Sequence, residues 1–212
     1  MHNTIIETER LFLREFEKSD CNELYEIKND KIVQEYSPVF LSWLHSPEKL
    51  ADYLEEKRNS ISLPSRLDCI YAICLKESGK IIGAIELYYY CRGNHISWHM
   101  NSEYACLGYA SEASSAITDY VITVLEIDCI CATMDIDNIA SFRTAEKSGF
   151  EFVGKKDDYR GKNGELFYFL KHKENIGKIH YINITNPVIN QNNEINIDIP
   201  IGFCIEVEEL YI

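Results

Sequence analysis

HISWHMNSEYACLGYASEASSAITDYVI, residues 95–122, decides the reading of this chain. His95 to Met100 reads as a strand, and the residues after it carry no period. From Gly108 onward Ala110, Ala113, Ile117, Tyr120, Val121 and Val124 recur at helical spacing, so one helical face packs on a sheet. A strand therefore enters a loop that opens directly onto a helix. The first-turn amides of such a helix have no intrahelical acceptor, and its dipole favours negative charge there. Gly108 and Ala110 leave the backbone open to close approach, and Ser111 adds a hydroxyl. Leu107, Gly108, Tyr109, Ala110 and Ser111 thus form a candidate cradle for a pyrophosphate that needs no basic side chain.

Outward from this stretch, Leu11 to Phe16 reads as a first strand. A helix opens at Lys18-Ser19-Asp20, with Ser19 or Asp20 as its cap and Leu24 and Ile27 facing inward. A second helix follows Ser46-Pro47-Glu48, with Leu50, Tyr53 and Leu54 on one stripe. Leu67 to Leu75 and Lys80 to Cys91 form a hairpin around Glu77-Ser78-Gly79. Ile127 to Ile136 is apolar on both faces, as a central strand is. Asn138 to Ser148 is a shorter helix closed by Gly149. Phe150 to Gly154 and Glu165 to Leu170 complete the sheet across the polar turn Arg160 to Gly164. The fold class is α/β (α+β): a mixed sheet flanked by helices.

Three stretches together resemble the GNAT N-acetyltransferases, in the branch that acetylates ribosomal-protein N-termini. Ala105-Cys106-Leu107-Gly108-Tyr109-Ala110 is similar to that superfamily's Q/R-x-x-G-x-G/A acetyl-CoA motif. Asn138-Ile139-Ala140-Ser141, followed by Glu146-Lys147-Ser148-Gly149-Phe150, resembles the branch signature N-x-x-S…E-K-x-G-F. Glu7-Thr8-Glu9-Arg10-Leu11-Phe12-Leu13-Arg14 resembles its first strand. The resemblance spans residues 7 to about 171 in the expected order. It departs at Ala105, where Gln or Arg is usual, and at Ala145, where many members carry a tyrosine acid.

The resemblance implies a GNAT fold with a mostly antiparallel sheet, acetyl-CoA as cofactor and transfer of acetyl to a primary amine. It implies that the pantetheine arm lies between two splayed strands and that a backbone N–H near Met100 meets the acetyl oxygen. It implies Ser141 as the acid near the sulfur and Asn138 as a residue positioning cofactor or water. The helical reading beside it makes Asn138 an N-cap and Ser141 a third-position residue. The residues leave the base open. Glu86, mid-strand in Gly83-Ala84-Ile85-Glu86-Leu87, is a candidate because a carboxylate in a strand needs a reason, and an outward solvated position is the other reading. Glu103, in the loop after the strand, reads either as a residue that orders a water or as a solvent-exposed one. His95 and His99 share one face of their strand, opposite Ile96, Trp98 and Met100. Tyr36, Trp43, Tyr88, Tyr89, Tyr90 and Trp98 read either as walls of an acceptor cleft or as ordinary core and sheet residues, and the second reading is preferred.

The 212 residues suit one domain with an appendage: an acetyltransferase domain over 1–172 and a β-rich extension over 173–212. In the extension Ile195, Ile197, Ile199, Ile201, Phe203, Ile205 and Val207 alternate without a break. Such a run calls either for a hairpin with Ile179 to Ile184, turning at Asn190 to Asn193, or for the sheet of a second copy in a homodimer. Thirty-four acidic against 21 basic residues give a formal charge of −13, which disfavours nucleic acid and suits a cationic amine. The eight cysteines form no C-x-x-C pair; Cys129 and Cys131 lack a second ligand pair, so no metal is expected. No apolar run approaches the roughly 20 residues of a membrane span, and no signal peptide is read, which points to a cytoplasmic protein with reduced thiols. A chain that keeps this fold as a non-catalytic acyl-CoA sensor is the alternative.

Overall fold

The computed structural model describes residues 4–59, 68–90, 93–158 and 164–172, together with 188–189 and 195–196. Strands β1 (Ile6–Glu7) and β2 (Leu11–Glu15) lead into helices α1 (Cys21–Lys28), α2 (Lys31–Tyr36) and α3 (Pro47–Asn59). Strands β3 (Cys69–Leu75), β4 (Ile81–Tyr90) and β5 (Gly93–Met100) follow. The chain then runs through α4 (Tyr109–Thr123), β6 (Cys129–Asp135), α5 (Ile139–Lys147), β7 (Glu151–Asp157) and β8 (Glu165–His172). The strand order is β1-β2-β3-β4-β5-β6-β8-β7, and every neighbouring pair is antiparallel except β5 and β6.

Period-two alternation builds two cores, one on each face. In β3 every residue is buried. Cys69, Tyr71, Ile73 and Leu75 join Ala113, Ile117 and Val121 of α4 and Ala145 of α5. Ile70, Ala72 and Cys74 join Leu24 and Ile27 of α1, Val33 of α2 and Leu50 and Leu54 of α3. Removing a central side chain here, as in Ile117→Ala, would cost about 2–5 kcal/mol. Gly83 lies opposite Met100 in the β4–β5 register, and a Cβ there would sit 2.7 Å from Met100 Sδ and 2.8 Å from the His99 carbonyl oxygen. Only glycine lets these two strands approach so closely.

β5 and β6 share one register pair among the described residues, His95 with Cys131. Toward Met100 the two parallel strands carry no further pair. Asn101 N–H donates to the Ile82 carbonyl at 3.0 Å, which makes that pair hydrogen-bonded. By the alternation of an antiparallel ladder, the N–H groups of Met100 and Trp98 then point away from β4, toward β6. The two strands thus part toward Met100, whose N–H faces the gap.

Several local expectations change. α2 lacks enough residues for a periodic signal; it starts where Asp30 Oδ1 accepts from Ile32 N–H. Neither Ser19 nor Asp20 caps α1 through its side chain: Asp20 is buried and takes both guanidinium nitrogens of Arg14 at 2.6 and 3.0 Å. Val124 is exposed rather than inward, because α4 ends at Thr123. β7 continues past Gly154 through a register shift and reaches Asp157. Among the described residues Cys21, Cys69, Cys74, Cys106, Cys129 and Cys131 form no disulfide, and burial pushes the Cys74 thiol up to about 11.

No helix among the described residues is long and apolar enough to cross a membrane. Strands β9 (Val188–Ile189) and β10 (Ile195–Asn196) pair antiparallel, with Ile189 opposite Ile195. The rest of 173–212, including the expected Ile179 to Ile184 partner and the run beyond Asn196, lies outside the described residues, as do Leu67 and positions 160–163 of the polar turn.

Candidate functional site

The loop between β5 and α4 carries two left-handed residues, Cys106 at φ 62° and Gly108 at φ 84°. For Cys106 that conformation costs about 1–2 kcal/mol. Gly108 occupies the N-cap of α4 and has no side chain to cap with, so the first-turn amides keep no intrahelical acceptor. This open turn fits an anionic group such as a pyrophosphate. The sequence departs from the basic pattern at Ala105, yet a guanidinium stands beside the loop. Arg10, at the entry to β2, donates from Nη1 to the Leu107 carbonyl at 3.1 Å and lies 4.4 Å from the Tyr109 ring centre. Its Nη2 would be 3.3 Å from a Cβ on Gly108.

Glu112, in the first turn of α4, holds Arg10 in place. It accepts from Arg10 Nε at 2.7 Å, Arg10 N–H at 2.8 Å and Thr8 Oγ1 at 2.6 Å. Partial burial alone would raise its carboxyl pKa, but these donors outweigh burial and hold it below the usual range. In the sequence Arg10 and Thr8 belong only to the first-strand stretch, and nothing local to either element signals that they meet α4.

On the α1–α3 face of the sheet, Glu86 of β4 sits opposite Ser97 of β5. Ser97 Oγ lies 3.4 Å from Glu86 Oε2 and 3.2 Å from His99 Nε2. With the hydroxyl proton given to the carboxylate, His99 Nε2 has to carry a proton and donate to Oγ. His99 is buried and stacks on Phe40, ring centres 3.7 Å apart. Burial pushes it down to about 3, so it is neutral at physiological pH. Burial also pushes Glu86 up to about 7, helped by the nearby Asp68 charge and opposed by the Ser97 hydroxyl and Lys57. Glu86 is therefore half-buried and inward, not on an outward solvated position.

Ser141 belongs to the opposite face. Asn138 Oδ1 accepts from Ser141 N–H at 3.0 Å and so caps α5; its side-chain oxygen is committed to the backbone. Trp98 Nε1 donates to Ser141 Oγ at 3.2 Å, and the indole meets Phe150 edge-on at 6.2 Å. Trp98 packs with the α4–α5 core, the core-residue reading of the two the sequence allows, as its alternation with His99 requires. Tyr88 and His95 remain together on the α1–α3 face, with ring centres 5.4 Å apart. Tyr89 and Trp43 are exposed.

Glu103 stands apart from Glu86. It is exposed, and it lines a cavity of about 590 Å³ with Asp20, Glu23, Glu26, Asp30 and Lys80. Ala145 is fully buried in the α4–α5 core and carries no proton donor. Among the described residues no group of His, Cys, Asp and Glu has the arrangement of a metal site.

Residues 10–151 match the family profile described as acetyltransferase (GNAT) domain. The chain is 32% identical over 178 residues to YnaD of Bacillus subtilis, an uncharacterized N-acetyltransferase, covering 80% of this chain and 98% of YnaD. A crystal structure of a GNAT-family acetyltransferase from Bacillus anthracis superposes with a TM-score of 0.67 at 25% identity, over 81% of this chain and all of that one. RimL, a ribosomal L7/L12 α-N-protein acetyltransferase solved with coenzyme A, shares the fold with a TM-score of 0.67 at 16% identity, over 80% of this chain and 98% of its own. A chimeric spermidine N-acetyltransferase from Vibrio cholerae and the aminoglycoside enzyme AAC(6')-Ib, solved with acetyl-CoA, share the fold at TM-scores of 0.63 and 0.58. Their identities are 17% and 21%, over 78% of this chain in each case and 96% and 94% of their own.

Proposed function

The chain belongs to the GNAT acetyltransferase family, and from that membership we propose that it transfers acetyl from acetyl-CoA to a primary amine, with Glu86 as general base and Ser141 as hydrogen-bond donor to the leaving sulfur. One observation carries the reading. Ser97 and Trp98 are consecutive on β5 and point to opposite faces, so Ser97 touches Glu86 while Trp98 touches Ser141. The base and the acid therefore flank the part of β5 that has no partner in β6, and the Trp98 and Met100 N–H groups face that gap.

Bound acetyl-CoA supplies an activated acetyl thioester and a thiol leaving group. The amides of residues 107–111 hold its pyrophosphate, and the Met100 N–H donates to the acetyl oxygen as charge develops there. An aliphatic ammonium with a pKa near 10 must lose a proton, which costs about 4 kcal/mol at pH 7. Glu86, at about 7, is matched to accept it at Oε2. The second proton lost by nitrogen balances the one finally carried by the thiol, and the Ser141 hydroxyl is placed to donate toward that sulfur.

The acceptor is a cationic amine, a class that takes in protein N-termini, polyamines and aminoglycosides; the charge of −13 supports this. The protein works in the cytoplasm, and residues 173–212 form an extension that joins two copies. The test of the reaction is thiol release from acetyl-CoA against a panel of a ribosomal-protein N-terminal peptide, spermidine and an aminoglycoside, with the acetylated product identified by mass spectrometry. At least one amine should be acetylated. Binding of acetyl-CoA without turnover on any of them would instead favour an acyl-CoA sensor.

A further inference from the structure

The bond between Trp98 and Ser141 has a fixed direction. An indole N–H can only donate, so Ser141 Oγ must be the acceptor at 3.2 Å. The backbone N–H of Ser141 is also committed, to Asn138 Oδ1 at 3.0 Å. Among the described residues the hydroxyl proton of Ser141 finds no acceptor. A serine near the start of a helix ordinarily turns that proton back onto the backbone or onto a neighbour. Thr144, three residues on in the same helix, does so: its Oγ1 donates to the Ala140 carbonyl at 3.0 Å.

We propose that Trp98 is a positioning residue for the acyl transfer: its indole N–H occupies a lone pair of Ser141 Oγ and leaves the serine proton directed into the gap between β5 and β6. The inference rests on the reading of Ser141 as the donor to sulfur. Trp98 is suited to this task by its place. It stands on the unpartnered end of β5, and its ring is braced edge-on by Phe150, so it bridges β5 and α5 where the strands part. Donation into Oγ also makes the O–H a better donor, because hydrogen bonds in a chain polarise one another. When the thioester C–S bond breaks and its electron pair collects on sulfur, the Ser141 O–H is already free to donate there, and no bond to a protein acceptor has to be broken first.

A double-mutant cycle tests this, with turnover measured on an amine acetylated in the panel and CoA affinity measured by calorimetry. Trp98→Phe removes the N–H and keeps an aromatic ring. It should lower kcat by about tenfold with CoA affinity within about twofold, and Ser141→Ala should do the same. The double variant should fall no further than the single ones. Losses that multiply, or a Trp98→Phe enzyme at the wild-type rate, would overturn the role of Trp98. A Ser141→Ala enzyme at the wild-type rate would remove the reading of Ser141, and this inference with it. A second measurement keeps the indole intact. The chain has two tryptophans, so in a Trp43→Phe background the emission is that of Trp98 alone. CoA should change that emission in a saturable way, and Ser141→Ala should shift it without ligand. Calorimetric binding of CoA with unchanged emission, or unchanged emission on Ser141→Ala, counts against the proposal.

Discussion

Arg10 and Glu112 are 102 residues apart in the chain and are joined by two hydrogen bonds, from Arg10 N–H and Nε, at 2.8 and 2.7 Å. The carboxylate lies in the first turn of α4, beside the amides that the cofactor phosphates would use. Left alone, a negative charge there would repel a pyrophosphate and draw on the same helix dipole. Paired, it fixes a guanidinium whose Nη1 ties back the Leu107 carbonyl.

Arg10→Ala should therefore weaken CoA binding by about tenfold, and Arg10→Ala/Glu112→Ala should recover part of that loss by removing the uncompensated charge. Calorimetric titration with CoA at two salt concentrations measures both. Equal affinity in wild type and Arg10→Ala would show that the loop keeps its shape without the clamp.

Much of this arrangement was legible in the sequence, and the division has a physical cause. The sheet alternation, the helix start at Gly108 and the helix end at Gly149, observed at φ 79°, each depend on a few adjacent residues. The left-handed turn before α4 is local in the same way. Pairings across the sheet are different. Nothing near Glu112 announces Arg10, and nothing near Ser141 announces Trp98; both contacts depend on how α4 and α5 cross the strands. Alternation places Trp98 on the face opposite His99, so its core position is legible while its hydrogen bond to Ser141 is not. α2 has six residues, too few for a period to be read.

The rate should follow Glu86. Its carboxyl is pushed up to about 7 by burial, and a base works only when ionised, so kcat/KM should rise with pH and level off above about 7. Glu86→Gln should lower the plateau by about 10²–10⁴-fold and remove that limb. A Glu86→Gln enzyme that keeps the same limb would move the titration to another group.

His99 should shape stability in the opposite sense. Its folded value is about 3 against an ordinary 6.5, so the unfolded chain binds a proton that the folded one refuses. The contribution is fully present above about 6.5 and is lost as pH falls toward about 3, by up to about 1.4 kcal/mol per pH unit. Glu86, raised from 4.5 to about 7, acts the other way: its contribution is present below 4.5 and is lost as pH rises through 7. Urea unfolding of wild type and His99→Gln at several pH values separates the two. The difference between the proteins should narrow as pH drops below 6.5, and a constant difference would mean that His99 titrates normally.

The extension is the part whose role rests most on sequence. Seven large apolar residues occupy alternate positions from Ile195 to Val207, a pattern that in an extended strand would put them on one face. Water-exposed, such a strand offers an apolar stripe and unpaired edges, which is an aggregation hazard. The β9–β10 pair uses two residues of each strand, Val188 and Ile189 with Ile195 and Asn196, and accounts for the start of the run alone. The mixed sheet up to His172 has its eight strands without any residue of the extension. The proposal that the extension joins two copies predicts that a second copy covers the remaining stripe without displacing a strand already paired. The full chain should sediment as a dimer, and a chain ending at Lys173 should sediment as a monomer that still binds CoA. A monomeric full chain, or a shortened chain that dimerises equally well, would assign the extension to its own domain.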